Sequence, residues 1–137
     1  MTVYEQASAI PFRYEDNQIK ILIISSRSGK RWIIPKGIIE NGDGAALTAE
    51  KETLEEAGVQ GYVNKGIIGE YKYSKWGGSC RVQVFSLLVN KELDDWDEKA
   101  FRKREWVDAK TAVKKLEPAA LKKIIKKFLK SQNNHME

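Results

Sequence analysis

The sequence predicts a mixed α+β fold, and two observations carry that prediction. Strand-like stretches outnumber helical ones, and a helical stretch sits embedded between strands near the middle of the chain. No repeat, linker or low-complexity segment divides the 137 residues. One domain over residues 1–137 is expected, large enough for a real core.

The elements follow in order. Residues 3–14 read as a strand with mixed alternation. Glu15-Asp16-Asn17-Gln18 is a polar turn and Ile19 to Ile24 an apolar strand, which together predict a hairpin. Ser25 to Arg31 is a polar loop containing Gly29. Trp32-Ile33-Ile34 is a short strand stopped by Pro35. After Gly42 a turn leads into a helix, which Asp43 is placed to cap and Gly58 to end at its C′ position. Residues 61–75 and 79–90 read as two strands joined by the turn signal Trp76-Gly77-Gly78. A polar stretch follows, then a short strand at Glu105-Trp106-Val107. Asp108 suits the N-cap of a helix over roughly 109–116. Pro118 suits the first turn of a basic last helix, about 118–130, whose apolar face holds Leu121, Ile124, Ile125, Phe128 and Leu129.

Composition narrows the function classes. The chain is 42% hydrophobic and 31% charged, as a globular protein is. No apolar run approaches the roughly 18 residues of a membrane span, and no membrane partner is expected. No basic residue precedes the apolar positions of Met1 to Ile10, which argues against a secretory signal. The one cysteine, Cys80, excludes an internal disulfide and fits a reducing cytoplasm, so a cytoplasmic location is expected. Net charge is +5, which favours anionic partners weakly. Much of the excess lies in the lysines of the last two helical stretches, opposite the apolar face, where a solvated surface explains them best. Nucleic acid is therefore admitted but not favoured, and oligomeric state is not specified.

Glu52-Thr53-Leu54-Glu55-Glu56-Ala57-Gly58 carries the chemistry. On a helix, residues three and four apart share a face, so Glu52, Glu55 and Glu56 project together. Such carboxylates repel unless they face bulk water or hold a cation between them, and hard divalent ions, above all Mg2+, suit their oxygens. By themselves the three glutamates favour the plainer reading, a solvated acidic face.

The spacing around them resembles the Nudix box over 23 residues. The motif is a glycine, five residues, a Glu, seven residues, then Arg-Glu-apolar-any-Glu-Glu-any-Gly-apolar. Here it opens at Gly37 and closes through Glu52, Glu55, Glu56, Gly58 and Val59 with every interval kept. Three positions depart from it: Asp43 for Glu, Lys51 for Arg, and Thr53 for an apolar residue. The resemblance implies an α/β/α sandwich around a mixed sheet and a metal-dependent pyrophosphohydrolase using Mg2+, with Mn2+ as an alternative. It implies that Glu52, Glu56 and the Gly37 carbonyl hold the metal. Glu55 is a third ligand or the general base, and the base varies among family members, so Glu55 and Glu52 both stand as catalytic candidates. Lys51, paired with Asp43, would orient the glutamates. A solvated Lys51 with Asp43 acting only as a cap is the equal alternative.

Outside the box, Ser25-Ser26-Arg27, Arg31 to Gly37, Leu93 to Trp96 and Arg102 to Val107 resemble the diphosphoinositol polyphosphate phosphohydrolases, which also cleave dinucleoside polyphosphates. Carried over, Ser26, Arg27, Lys36 and Arg102 would bind substrate phosphates. For Arg31, Lys75, Arg81, Lys103 and Arg104 a surface role is at least as well supported. Trp32 and Trp106 are expected in the core, and Trp76 is the candidate for a base contact. The expected substrate is a small polyphosphate. Alternatives are another Nudix substrate, such as an RNA 5′ end or a nucleoside triphosphate, and a nucleotide- or RNA-binding module with weak catalysis.

Overall fold

The computed structural model describes residues 2–136, with side chains through Gln132. Strands β1 (Val3–Glu15), β2 (Gln18–Ser25), β3 (Trp32–Ile33), β4 (Lys36–Ile38), β5 (Val59–Lys75), β6 (Gly78–Glu92) and β7 (Arg104–Asp108) form one seven-stranded sheet. Five of them run in the order β3-β2-β1-β6-β5; β4 pairs with β1, and β7 with β2. The β1–β6 pair is parallel and the others are antiparallel, so the sheet is mixed. Two hairpins close through two-residue turns, Asp16-Asn17 and Trp76-Gly77, all four residues having positive φ. That geometry matches the twist of the flanking strands. Gly78 belongs to β6 rather than to the turn.

Alternation along the strands sends side chains to two layers. Ile10, Phe12, Ile21, Ile23, Val82 and Val84 pack with Ala112, Leu116, Leu121, Ile124, Ile125 and Phe128, which belong to α2 (Ala109–Lys115), the residue that ends it, and α3 (Ala120–Met136). Their neighbours Ala7, Ala9, Phe85 and Leu87 face the other way, against Ala49 of α1 (Ala45–Ala57). Leu22 and Ile24 join Ala57 and Val59 on that side. Helices therefore cover both faces, as the resemblance implied. Small alanines on the α1 side let that helix lie close to the sheet, while the α2–α3 side is filled by branched and aromatic residues. Each large buried side chain there contributes about 1.5–3 kcal/mol.

Some local expectations are corrected. Strand β4 was hidden in the run after Pro35, because three residues carry no periodic signal. Asp43 does not cap α1: the cap position is Gly44, with no side-chain bond. Pro118 lies just before α3 rather than in its first turn, and its carbonyl accepts from the Leu121 N–H at 3.0 Å. Asp108 does cap α2, accepting from the Thr111 N–H at 2.7 Å. Cys80 is a fully buried strand residue.

Candidate active site

The site forms where the Pro35-Lys36-Gly37 segment crosses the sheet beside α1. Buried Ser8 fixes that segment, its hydroxyl donating to the Pro35 carbonyl at 2.6 Å. Pairing of β4 with β1 sets Gly37 opposite Ala7. The Lys36 N–H then donates to the Glu56 carboxylate, Oε1, at 3.2 Å. Gly37 lies directly against Glu52, and a Cβ there would collide with the Glu52 carboxyl group.

The C-terminal end of α1 is held from outside. Gly58 adopts φ 68° and donates its N–H to the Leu54 carbonyl, the left-handed ending expected of it. Trp96 Nε1 donates to the Glu56 carbonyl at 3.1 Å. The Arg104 guanidinium donates to the carbonyls of Ala57 (2.9 Å) and Leu93 (2.7 Å) and stacks on Trp96. A cation at a helix C-terminus also complements the helix dipole. Arg104 is thus a clamp on the C-terminal end of α1.

Three glutamates of α1 lie on this side, and a fourth carboxylate comes from outside the helix. Glu55 is exposed, Glu52 half-buried and Glu56 only 8% exposed. Glu98 is the fourth, and its backbone N–H donates to the Glu55 carbonyl at 3.1 Å. Arg102 lies between the groups, with Nη2 2.9 Å from Glu98 and 3.8 Å from Glu56. Its Nη1 donates to the Ser25 carbonyl at 2.9 Å. Burial pushes the Glu56 carboxyl up to about 8, with Arg102 opposing and Glu52 adding to the rise. Burial and then Glu55 raise Glu52. Glu98 escaped the sequence reading because it lies outside the box, although its four-residue spacing from Arg102 signals an ion pair.

The residues present fit a divalent cation. Two carboxyl groups disfavoured as anions face a backbone segment that only glycine allows to approach, and a dication there would favour their ionised forms. Among the described residues no three acidic, histidine or cysteine side chains already converge as a cage. A cation held there would draw on backbone oxygen and solvent for the rest of its shell.

Asp43 and Lys51 form a pair at 3.0 Å, and Asp43 does not act as the cap of α1. The lysine is 55% exposed, and a pair so placed contributes at most about 1 kcal/mol. Thr53, fully buried, donates its hydroxyl to the Ala49 carbonyl at 2.7 Å and so fits an apolar position.

Beside the acids opens a cleft of about 230 Å³. Ser26, Arg27, Lys36 and Arg102, the four predicted phosphate contacts, line it together, and Arg31 and Lys75 join them. Arg27 is the most open, its side chain 73% exposed. Lys36 is half-buried with its ammonium 4.3 Å from the Tyr73 ring centre; burial, then Lys75 and Arg31, lower its pKa. Arg102 is held, its side chain 6% exposed and engaged with Glu98. Arg81 is elsewhere, paired with Glu5 at 2.7 Å. Trp76 is 52% exposed against Tyr4 and Lys75, outside the cleft.

Comparison with known proteins agrees with this architecture. The NUDIX domain model matches residues 4–129. The chain is 33% identical over 125 residues to the mitochondrial Nudix hydrolase 16 of Arabidopsis thaliana, covering 78% of this chain and 69% of that protein. It is 36% identical over 118 residues to diphosphoinositol polyphosphate phosphohydrolase 3-alpha of Mus musculus, covering 82% and 69%. The chain spans 60–69% of the length of these and similar relatives. The C. elegans Ap4A hydrolase, solved as a binary complex, superposes with a TM-score of 0.78 at 20% identity, over 96% of this chain and 98% of that one. The chain belongs to the Nudix hydrolase family.

Proposed function

We propose that this protein hydrolyses a pyrophosphate bond in a dinucleoside polyphosphate or a diphosphoinositol polyphosphate, with Mg2+, or Mn2+, as cofactor. The observation that carries this reading is the junction at Lys36-Gly37. On one side lie Glu52 and Glu56; on the other, a cleft bearing Arg27, Arg31, Lys36, Lys75 and Arg102. The reading is supported by relatives whose names include the diphosphoinositol polyphosphate phosphohydrolases.

Glu52, Glu56 and the Gly37 carbonyl would hold the cation, with Glu55 as a third ligand or as base. When bound, the cation offsets phosphate charge and makes water more acidic. Exposed Glu55 can reach solvent water and take its proton; half-buried Glu52, its pKa raised, is the other candidate base. Ser26, Arg27 and Lys36 would orient the phosphates, and Arg102, held by Glu98, would fix Glu56 while lining the same wall. Lys51 supports the helix through Asp43. The buried lone thiol suits a reducing compartment, and a cytoplasmic location is our reading of it. No helix among the described residues is long and apolar enough to cross a membrane.

The test is a substrate panel with Mg2+: diadenosine polyphosphates, diphosphoinositol polyphosphates, a triphosphorylated RNA end and nucleoside triphosphates. Turnover of either of the first two classes above the rest is expected. Turnover confined to the latter two, with folded protein, would sink the substrate assignment.

A further inference from the structure

We infer that Trp96 is a positioning residue for the metal centre, acting through the backbone of Glu56. This rests on the reading of Glu56 as a metal ligand. An α-helix leaves its last four carbonyls without partners inside the helix. In α1 these belong to Leu54, Glu55, Glu56 and Ala57, and each has a donor beyond the helix. The Leu54 carbonyl accepts from the Gly58 N–H at 3.0 Å, and that of Glu55 from the Glu98 N–H at 3.1 Å. The Glu56 carbonyl accepts from Trp96 Nε1 at 3.1 Å, and that of Ala57 from Arg104 Nη1 at 2.9 Å. Three of these four donors come from residues 96–104. The same stretch sends Arg102 toward the Glu56 carboxylate, 3.8 Å away. The stretch and the end of α1 are therefore built as one unit.

The three donors of that stretch are not equivalent. Glu98 donates from its backbone, and Arg104 spreads its guanidinium over the carbonyls of Ala57, Gly58 and Leu93. Trp96 has a single side-chain N–H, and Glu56 takes it. The indole ring is fixed by its neighbours. The Arg104 guanidinium lies 3.9 Å over it, and a Cβ on Gly58 would come within 2.7 Å of it. The glycine that ends α1 therefore also makes room for the tryptophan. Glu56 is held at both ends, its carbonyl by Trp96 and its carboxylate by the Lys36 N–H at 3.2 Å. Glu52 lies one turn earlier, where the helix itself supplies the backbone partners. Loss of the indole N–H would thus loosen one carboxylate of the pair and spare the other. Water can replace the donor but not its fixed position. Groups that orient a ligand from behind set its affinity for metal.

Trp96→Phe keeps an aromatic ring between Arg104 and Gly58 and removes the N–H. Trp106→Phe is the matched control, because its indole N–H goes to the Glu92 carboxylate at 3.2 Å and not to α1. Binding of Mn2+ alone to the full chain is read from the loss of the free-ion electron paramagnetic resonance signal. It is expected to weaken about tenfold in Trp96→Phe and to stay within about twofold of wild type in Trp106→Phe. The Mn2+ concentration that gives half-maximal turnover should rise by the same factor in Trp96→Phe, with turnover at saturating Mn2+ largely kept. If Trp96→Phe melts at a lower temperature yet binds Mn2+ as the wild type does, or if both variants lose affinity alike, Trp96 only packs, and the metal centre stands without it. If the wild type binds no Mn2+, the reading of Glu56 as a ligand falls and takes this role of Trp96 with it.

Discussion

The acidic cluster and the basic cleft meet at Lys36-Gly37 but are built in opposite ways. Glu52, Glu55 and Glu56 come from little more than one turn of α1, and their geometry is set by backbone: β4 pairing, the Gly37 approach, the Gly58 ending. Ser26, Arg27, Arg31, Lys36, Lys75 and Arg102 come from four separate segments, and several end in long, mobile side chains. Glu52 and Glu56 are also buried enough to shift their titration, whereas Arg27 lies open to solvent. A site of the first kind is sensitive to single atoms. One of the second kind works by charge and tolerates more.

Arg102 breaks this division, because it lines the cleft yet is buried among the acids, and it should show the largest effect. Arg102→Ala leaves the largely buried Glu98 carboxylate without its cation and opens a gap beside Glu56, and should cost about 3–5 kcal/mol in denaturant unfolding. A cost below about 1 kcal/mol would class it with the surface cations. Gly37→Ala comes next. The methyl group must displace Glu52, for about 1–3 kcal/mol of stability and a loss of divalent-ion affinity, read by melting with and without Mg2+. Equal melting shifts on adding Mg2+ in variant and wild type would separate Gly37 from the metal.

The titration of Glu56 sharpens the same contrast without touching the cleft. Between its ordinary 4.5 and about 8, the unfolded chain has lost this proton while the folded protein keeps it. Folding then takes up a proton, so without metal the stability should fall as pH rises through that window, by at most about 1.4 kcal/mol per pH unit. Glu56→Gln should flatten the slope, and Mg2+ should reverse it by favouring the anion. A metal-free stability that rises over this range would contradict the burial argument. The smallest effect belongs to the exposed Asp43–Lys51 pair. Lys51→Ala should cost less than about 1 kcal/mol and lower turnover only modestly; a loss comparable to that of Arg102→Ala would mean that the pair governs the glutamates directly.

The same contrast explains what could be read from the sequence. The acids were legible because helical spacing is local: positions 52, 55 and 56 share a face wherever the helix lies. The α+β class and both hairpins were legible for the same reason. The membership of the cleft was only partly so. Ser26, Arg27, Lys36 and Arg102 were reached through resemblance, whereas Lys75 and Arg31 needed the hairpin end and the loop to be placed in space. Asp43 looked like a cap because its side chain suits one, but Gly44 holds that position and Lys51 claims the carboxylate. Glu98 and the clamp formed by Arg104 and Trp96 depend on contacts 40 or more residues away, beyond any local pattern.

The central claim is that Glu52 and Glu56, beside Gly37, form the metal-dependent centre that cuts a polyphosphate. The most direct test is steady-state turnover of a diadenosine polyphosphate by wild type and Glu56→Gln, each with Mg2+ and with chelator. The account predicts turnover that requires Mg2+ and falls about 10²–10³-fold in Glu56→Gln while the fold is kept. Turnover that survives chelation, or that Glu56→Gln retains, would contradict it.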